Sequence, residues 1–258
     1  RARTRGGAVR ARDAARGEHL RDGLPEAAIA DDDDLALLGS LGPFAAFDHR
    51  RADEAARDHH RRLLIKLQEL SDPGRRMNVE VHTADDGFAF RYVVPLQQSL
   101  QQITLQDELT KLTFAGDPQA RILPLNAYTT SYEKYYLKQH VSEITPQELV
   151  GLPMLLQLST AKGGSVWGAL TEANLRDYAG MYVAGVEGKP GMLATKLSPL
   201  PHRNDGAKVI VEKTLTTPWR TLLLADDPGR LIESNLIFNL NEPCKIADPS
   251  WIKPGRTT

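Results

Sequence analysis

Beyond residue 60 the chain alternates between apolar and polar positions with a period of two. Met77, Val79 and Val81 stand between polar neighbours, Asp85-Asp86-Gly87 follows, and Phe88, Phe90, Tyr92 and Val94 then resume the alternation. Two alternating runs about an Asp-Gly step predict a β-hairpin with one buried face. Pro95 ends its second strand, because proline has no N–H to give to a ladder. Leu63, Ile65 and Leu67 also alternate. The stretch 51–70 allows a helix, but the turn Ser71-Asp72-Pro73-Gly74 and the hairpin after it favour a strand in a meander. Short apolar runs recur at 105–114, 154–158, 166–170, 192–197, 208–215 and 220–224, each bounded by Gly, Pro, Asp or Asn. Many short strands separated by turn signals predict an all-β sandwich or barrel. Little helix is expected, with 142–149 and the turn 172–178 the best places for it. No repeat of fixed period is present.

Composition divides this picture. Residues 1–60 contain no Lys, Trp or Tyr, whereas all three Trp residues lie beyond position 160. A segment of Ala, Arg, Asp and Gly buries too little apolar surface to offset chain entropy. Residues 1–56 are therefore expected to be a disordered or irregular segment, with 32–41 able to form a short helix. Two origins fit such text: an ordinary linker from a GC-rich gene, or a stretch translated out of frame or from a truncated start. The coding DNA would distinguish them.

Charge and cysteine content remove several functional classes. The chain of 258 residues carries 32 Lys plus Arg against 33 Asp plus Glu, a formal net charge of −1. That balance argues against a general nucleic-acid binder, so no nucleic-acid partner is expected. The single cysteine, Cys244, excludes an internal disulfide framework and a cysteine-clustered zinc site. No apolar run reaches the length of a membrane-spanning helix, and no signal peptide is visible after Arg1. G-x-S-x-G, Walker, G-x-G-x-x-G and H-E-x-x-H signatures are all missing. The adjacent pair His59-His60 points its rings in different directions on any regular element, which is poor geometry for sharing a metal. Composition and spacing alone stop at an all-β domain.

The wording of the second half carries more. Thr171-Glu172-Ala173-Asn174-Leu175 with Tyr178 close behind, Leu197-Ser198-Pro199-Leu200-Pro201, Thr217-Pro218-Trp219-Arg220, Leu231-Ile232-Glu233-Ser234-Asn235-Leu236 and Leu240-Asn241-Glu242-Pro243-Cys244 occur in that order, and Ser250-Trp251-Ile252-Lys253-Pro254-Gly255 closes the chain. Together with Asp85-Asp86-Gly87-Phe88-Ala89-Phe90-Arg91-Tyr92, this order resembles the N-terminal domain of glycoside hydrolase family 97, over about residues 57–256.

The resemblance implies an antiparallel β-supersandwich of the galactose-mutarotase-like kind over residues 57–255. Residues 256–258 would start a linker to a catalytic (β/α)₈ barrel and a small C-terminal β domain. It also implies a protein that acts on α-glucosides or α-galactosides in the periplasm or outside the cell. A barrel needs roughly 250 residues, so no catalytic residue is assigned here, and the chain alone is expected to be inactive. By the same resemblance Glu172 is a calcium ligand lent to the barrel's active site, and Lys196, Leu197 and Ser198 approach the substrate. Calcium belongs to the complete enzyme, and one carboxylate alone would hold it weakly or not at all.

Each assignment has a plainer counterpart. Glu172 could be an acidic residue in the first turn of a short helix capped by Thr171, and Ser198-Pro199 could be the turn that ends a strand. Trp219 reads as core or interface packing. Tyr128, Tyr132, Tyr135 and Tyr136 around Glu133, with Trp251 in the exit linker, read as a surface that packs on the barrel; exposed, such a face lowers solubility. A free-standing carbohydrate-binding β-sandwich is the alternative function. A third, aldose-epimerase-like chemistry, would need a His and Glu pair from His140, His202 and Glu212.

Overall fold

The computed structural model describes residues 60–160, 163–212, 214–248 and 250–251. The expected irregular segment 1–56 lies outside the described residues. Within them the fold is all-β, built of antiparallel strands curled into a sandwich, with two short helices near the C-terminal end.

The strands are β1 (His60–Gln68), β2 (Arg76–Ala84), β3 (Gly87–Val94), β4 (Gln102–Leu105), β5 (Lys111–Thr113), β6 (Gln119–Leu125), β7 (Leu137–His140), β8 (Leu149–Ser159), β9 (Ser165–Ala173), β10 (Met181–Val186), β11 (Lys189–Leu197), β12 (Val209–Glu212), β13 (Leu215–Thr216) and β14 (Trp219–Ala225). The large sheet runs β1-β2-β3-β14-β9-β8-β10-β11-β5. β13 pairs with β3, β6 with β8, and β7 with β6, while β4 and β12 form a separate ribbon. β14 thus joins β3 on one side to β9 on the other.

The alternating runs form the expected meander β1-β2-β3, with Leu63 facing Val81 and Ile65 facing Val79, and β3 ends just before Pro95. Of the run 105–114 only Leu105, the end of β4, and Lys111–Thr113, which form β5, are in strands, and 208–215 breaks into β12 and β13. Both suggested helices are corrected. Only Val141–Glu143 forms a 3₁₀ turn, and β8 begins at Leu149. Thr171 and Glu172 lie inside β9, so Glu172 is not in the first turn of a helix. The helices are instead α1 (Arg230–Glu233) and α2 (Leu236–Leu240).

Their position explains a second correction. The alternation predicts a hairpin that buries one face only, but β3, β14 and β9 are covered on both. One face carries the main core, with Ile122, Met154, Leu156, Leu170, Val183 and Leu193 packed together, each such side chain contributing about 1.5–3 kcal/mol on burial. The opposite face presents small residues, Ala89, Ala169 and Ala173, beside Trp219 and Leu223. That shallow surface lets Leu236 and Leu240 of α2 approach closely. Trp219 is buried there as expected, with the Arg91 guanidinium 4.3 Å from its ring centre.

Candidate functional site

Register places the first two members of the site. Glu172 on β9 pairs directly with Arg220 on β14, so their side chains share a face. Arg220 Nη1 donates to Glu172 Oε2 at 2.8 Å. The rest of the guanidinium is taken by Glu108, from the segment between β4 and β5: Nε donates to Oε1 at 2.9 Å and Nη2 to Oε2 at 2.5 Å. This planar two-point pairing is one that arginine can make and lysine cannot. Arg220 is 1% exposed and Glu108 4%, so the ion pairs stand away from water. Burial works to lower the Arg220 pKa, but Glu108 and then Glu172 outweigh it and hold the guanidinium charge more firmly than usual.

The two carboxylates differ in how fully they are used. Glu108 receives four donors, two from Arg220, one from the Thr110 hydroxyl at 2.9 Å and one from the Tyr178 hydroxyl at 3.0 Å. A carboxylate offers about four lone-pair directions, so Glu108 is saturated. Among the described residues Glu172 receives only the Arg220 donor and the Met181 N–H at 3.1 Å, which leaves acceptor capacity on both oxygens. Burial pushes its pKa up, against the pull of Arg220. Two carboxylates around one guanidinium leave the network one unit negative when both are ionised, with the spare acceptor capacity on the more exposed member.

Met181 links this network to the second group of expected residues. It opens β10, and across the β10–β11 ladder it faces Leu197. Lys196 faces buried Tyr182 on the opposite face of the same ladder. Leu197 turns inward, 1% exposed, and packs with Ala179, Val209 and Leu215. Its side chain cannot reach a ligand, because it points to the buried side of the strand, opposite to half-buried Lys196. Ser198 follows the strand, and its N–H donates to Gly180 O at 3.1 Å. Ser198 and Gly180 face a cleft of about 590 Å³ that is also lined by Asp177, Tyr178 and Lys208. A Cβ on Gly180 would stand 3.8 Å from Glu172 Oε1, so the cleft backs onto the Glu172 carboxylate. The structure therefore brings Glu172, Ser198 and the start of β10 together.

The remaining candidates are scattered. His140 is on β7, His202 in the loop after β11 and Glu212 on β12, and among the described residues no contact joins them. His59 lies outside the described residues, while His60 stacks on His82 with ring centres 4.4 Å apart. Cys244 is an exposed free thiol. Tyr128 and Tyr132 pack on Tyr182, with the Tyr132 hydroxyl donating to the Tyr182 hydroxyl at 2.7 Å, while Tyr135 and Tyr136 point outward.

The fit to calcium is limited to one ligand. Calcium takes six to eight oxygens, and among the described residues no group of three or more His, Cys, Asp or Glu side chains could hold a metal. Glu172 retains the acceptor capacity to serve as a single donor, and Glu108 does not.

Sequence patterning does not single out Glu108, Asp177 or Lys208. It runs Glu108 into a continuous strand at 105–114, and only the break between β4 and β5 frees that side chain to turn toward Arg220.

The relatives of this chain agree with the architecture. A family model described as glycosyl-hydrolase 97 N-terminal matches residues 48–243. The retaining alpha-galactosidase of Bacteroides thetaiotaomicron is 25% identical over 230 residues, covering 80% of this chain and 32% of that enzyme. A probable retaining alpha-galactosidase of Streptomyces bingchenggensis is 28% identical over 187 residues, covering 71% of this chain and 26% of the relative. Among solved structures, a glycoside hydrolase family 97 enzyme from Pseudoalteromonas sp. strain K8, in complex with acarbose, matches with a TM-score of 0.66 at 30% identity. That match covers 76% of this chain and 28% of the other. The chain thus spans about a third or less of the length of these relatives. With the family model matching most of its length, the chain belongs to glycoside hydrolase family 97, and the part of that family it corresponds to is the N-terminal domain.

Proposed function

We propose that this chain is the non-catalytic sandwich of an α-glycoside hydrolase of α-glucosidase or α-galactosidase type. It packs on a catalytic barrel and lends Glu172 to a calcium ion in the barrel's active site, with Lys196 and Ser198 near the sugar. The complete protein works in the periplasm or outside the cell. The observation that carries this reading is the contrast between the saturated Glu108 and the half-used Glu172: one carboxylate neutralises Arg220, and the other keeps capacity for a cation. A calcium ion bound there would supply a fixed positive charge that polarises or orients substrate oxygens. Arg220 and the Met181 N–H hold the Glu172 carboxylate in one orientation, so its ordering does not have to accompany ligand binding. Exposed Tyr135, Tyr136 and Trp251 provide aromatic surface suited to packing on another domain.

Two results are expected. The 258-residue chain alone releases no 4-nitrophenol from nitrophenyl α-glucoside or α-galactoside, because Glu108 and Glu172 share one arginine and do not flank an open site where a glycosidic bond could lie. Steady turnover by the pure protein would contradict this. Second, residues 57–255 are grafted in place of the matching part of the Bacteroides thetaiotaomicron enzyme. The chimera should turn over nitrophenyl α-galactoside in a calcium-dependent manner. Glu172→Gln should lower its calcium affinity by roughly tenfold or more, on the scale of losing a metal-site partner. Unchanged calcium dependence in the Gln variant would remove Glu172 from the metal site.

A further inference from the structure

We propose that Asn241 is a positioning residue for Glu172, and that through it the segment after α2 sets where the Glu172 carboxylate stands. The value of that carboxylate to a metal rests on the function proposed above, but the clasp itself does not.

The clasp begins where a ladder ends. The pairing of β9 with β14 runs out at Ala173 opposite Trp219, one residue past Glu172 and Arg220. The next N–H, that of Asn174, lies beyond the ladder and donates to Asn241 Oδ1 at 3.0 Å. Asn174 has φ +55°, a left-handed conformation that a non-glycine residue keeps where its surroundings enforce it. Asn241 supplies that enforcement, and its own side chain is fixed in turn. Its Nδ2 donates to Ile237 O at 2.6 Å, and its backbone N–H donates to Phe238 O at 3.2 Å. Asparagine suits the position because one side chain carries both an acceptor and a donor.

The element that carries Asn241 is anchored from its other end. Asp86, in the turn between β2 and β3, accepts at Oδ2 from the Ser234 hydroxyl at 2.6 Å and the Asn235 N–H at 3.1 Å. Leu236 and Leu240 of α2 share a core cluster with Ala173. Glu242, next to Asn241, pairs with Arg176, although both are exposed and such a pair contributes little alone. Glu172 thus stands between two fixed points, Arg220 across the ladder and Asn174 two residues on. The Met181 N–H that donates to Glu172 Oε1 lies at the far end of the same β9–β10 connection. Displacing Asn241 frees residue 174 to leave its left-handed conformation, re-aims the connection and draws the Met181 N–H away from the carboxylate. Ile246 and Trp251, further along the segment after α2, are exposed. A neighbouring domain that packs on them acts on the same segment that holds Asn174, so domain packing and the position of Glu172 are coupled through one asparagine.

The test compares Asn241→Ala with Asn241→Asp, which keeps the acceptor, by amide hydrogen exchange in the 258-residue chain. Asn241→Ala should speed exchange at Asn174 and at Met181 by roughly fivefold or more, while fully buried Val183 keeps its wild-type rate. Asn241→Asp should hold both amides within about twofold of wild type. Faster exchange at Asn174 alone would show that Asn241 only occupies one N–H, and would overturn the proposal, as would an Asp variant that exchanges like the Ala variant. Where Asn241→Ala fails to fold, Asn241→Ser takes its place with the same expectation. In the chimera, Asn241→Ala should weaken calcium binding about threefold or more, and Asn241→Asp should not. Calcium dependence that survives Glu172→Gln would sink the metal role and leave the clasp to the exchange data. Calcium dependence that is lost in Glu172→Gln, with Met181 exchange unmoved by Asn241→Ala, would sink the clasp alone.

Discussion

Arg220→Met should destabilise the sandwich by about 3–5 kcal/mol, the usual result of removing one partner from a buried ion pair. At about 2–4 °C per kcal/mol for a domain of this size, the melting temperature falls by roughly 6–20 °C. The variant leaves Glu108 at 4% exposure and Glu172 at 15% side-chain exposure, without the guanidinium that neutralises them. Lost packing would give a smaller deficit, so a triple variant separates the two causes. Adding Glu108→Gln and Glu172→Gln to Arg220→Met removes the buried charges and should recover most of the stability. The single variant should also improve on acidification. Burial already raises the Glu172 pKa against the pull of Arg220, so without Arg220 stability is greatest below its ordinary unfolded pKa and declines as pH rises through the raised folded value. A single variant that melts within 2–3 °C of wild type, on the same scale, or a triple variant no better than the single, would show that the network does not carry this charge balance.

The second large effect is steric. Gly185, on β10, passes so close to the segment before β8 that an added Cβ would stand 1.9 Å from Ile144 O and 2.8 Å from Ile144 C. The obstacle is backbone, and Gly185 N–H also donates to Thr145 O at 3.0 Å, so neither side can yield without breaking that bond. Gly185→Ala should therefore cost roughly 3 kcal/mol or more, at the top of the overpacking range. Gly188 is the control. It has φ +67° and nothing within 4 Å of an added Cβ, so Gly188→Ala should cost only the left-handed penalty of about 1–2 kcal/mol. Denaturant melts of the two variants test the order, and equal destabilisation would contradict the close approach.

How much of this can be read from the sequence depends on whether the signal is local. The β2–β3 hairpin is legible because the alternation and the Asp85-Asp86-Gly87 turn lie within a few residues of one another. The stop at Pro95 and the burial of Trp219 are legible for the same reason. β10 is not, since Met181–Val186 is buried on both faces and lacks alternation, and neither is β6, whose alternation over Gln119–Ile122 is broken by a bulge before Leu123. α1 and α2 escape because helices of one turn show no period, and only the alanine face beneath them explains why they form. Glu172 is marked by wording alone, which also allows a helical setting. Its true setting, across a ladder from Arg220, depends on a strand pairing 48 residues distant in sequence, and the Glu108 partner on a side-chain contact 112 residues distant. No local pattern encodes such pairings, which is why the charged network stays invisible while the strands around it do not.

The position of β14 also has a consequence for how the protein is made. It lies between β3 and β9 in the sheet, yet among the described strands it comes last in the chain. Until residues 219–225 leave the ribosome, the meander and the rest of the sheet cannot be bridged, and each exposes an unpaired strand border to the crowded cell. A topology so dominated by non-local pairing folds slowly, and such borders are where nascent chains associate wrongly. The closing step of the sheet is also the step that delivers Arg220 to its two carboxylates, so strand insertion and charge neutralisation are a single event.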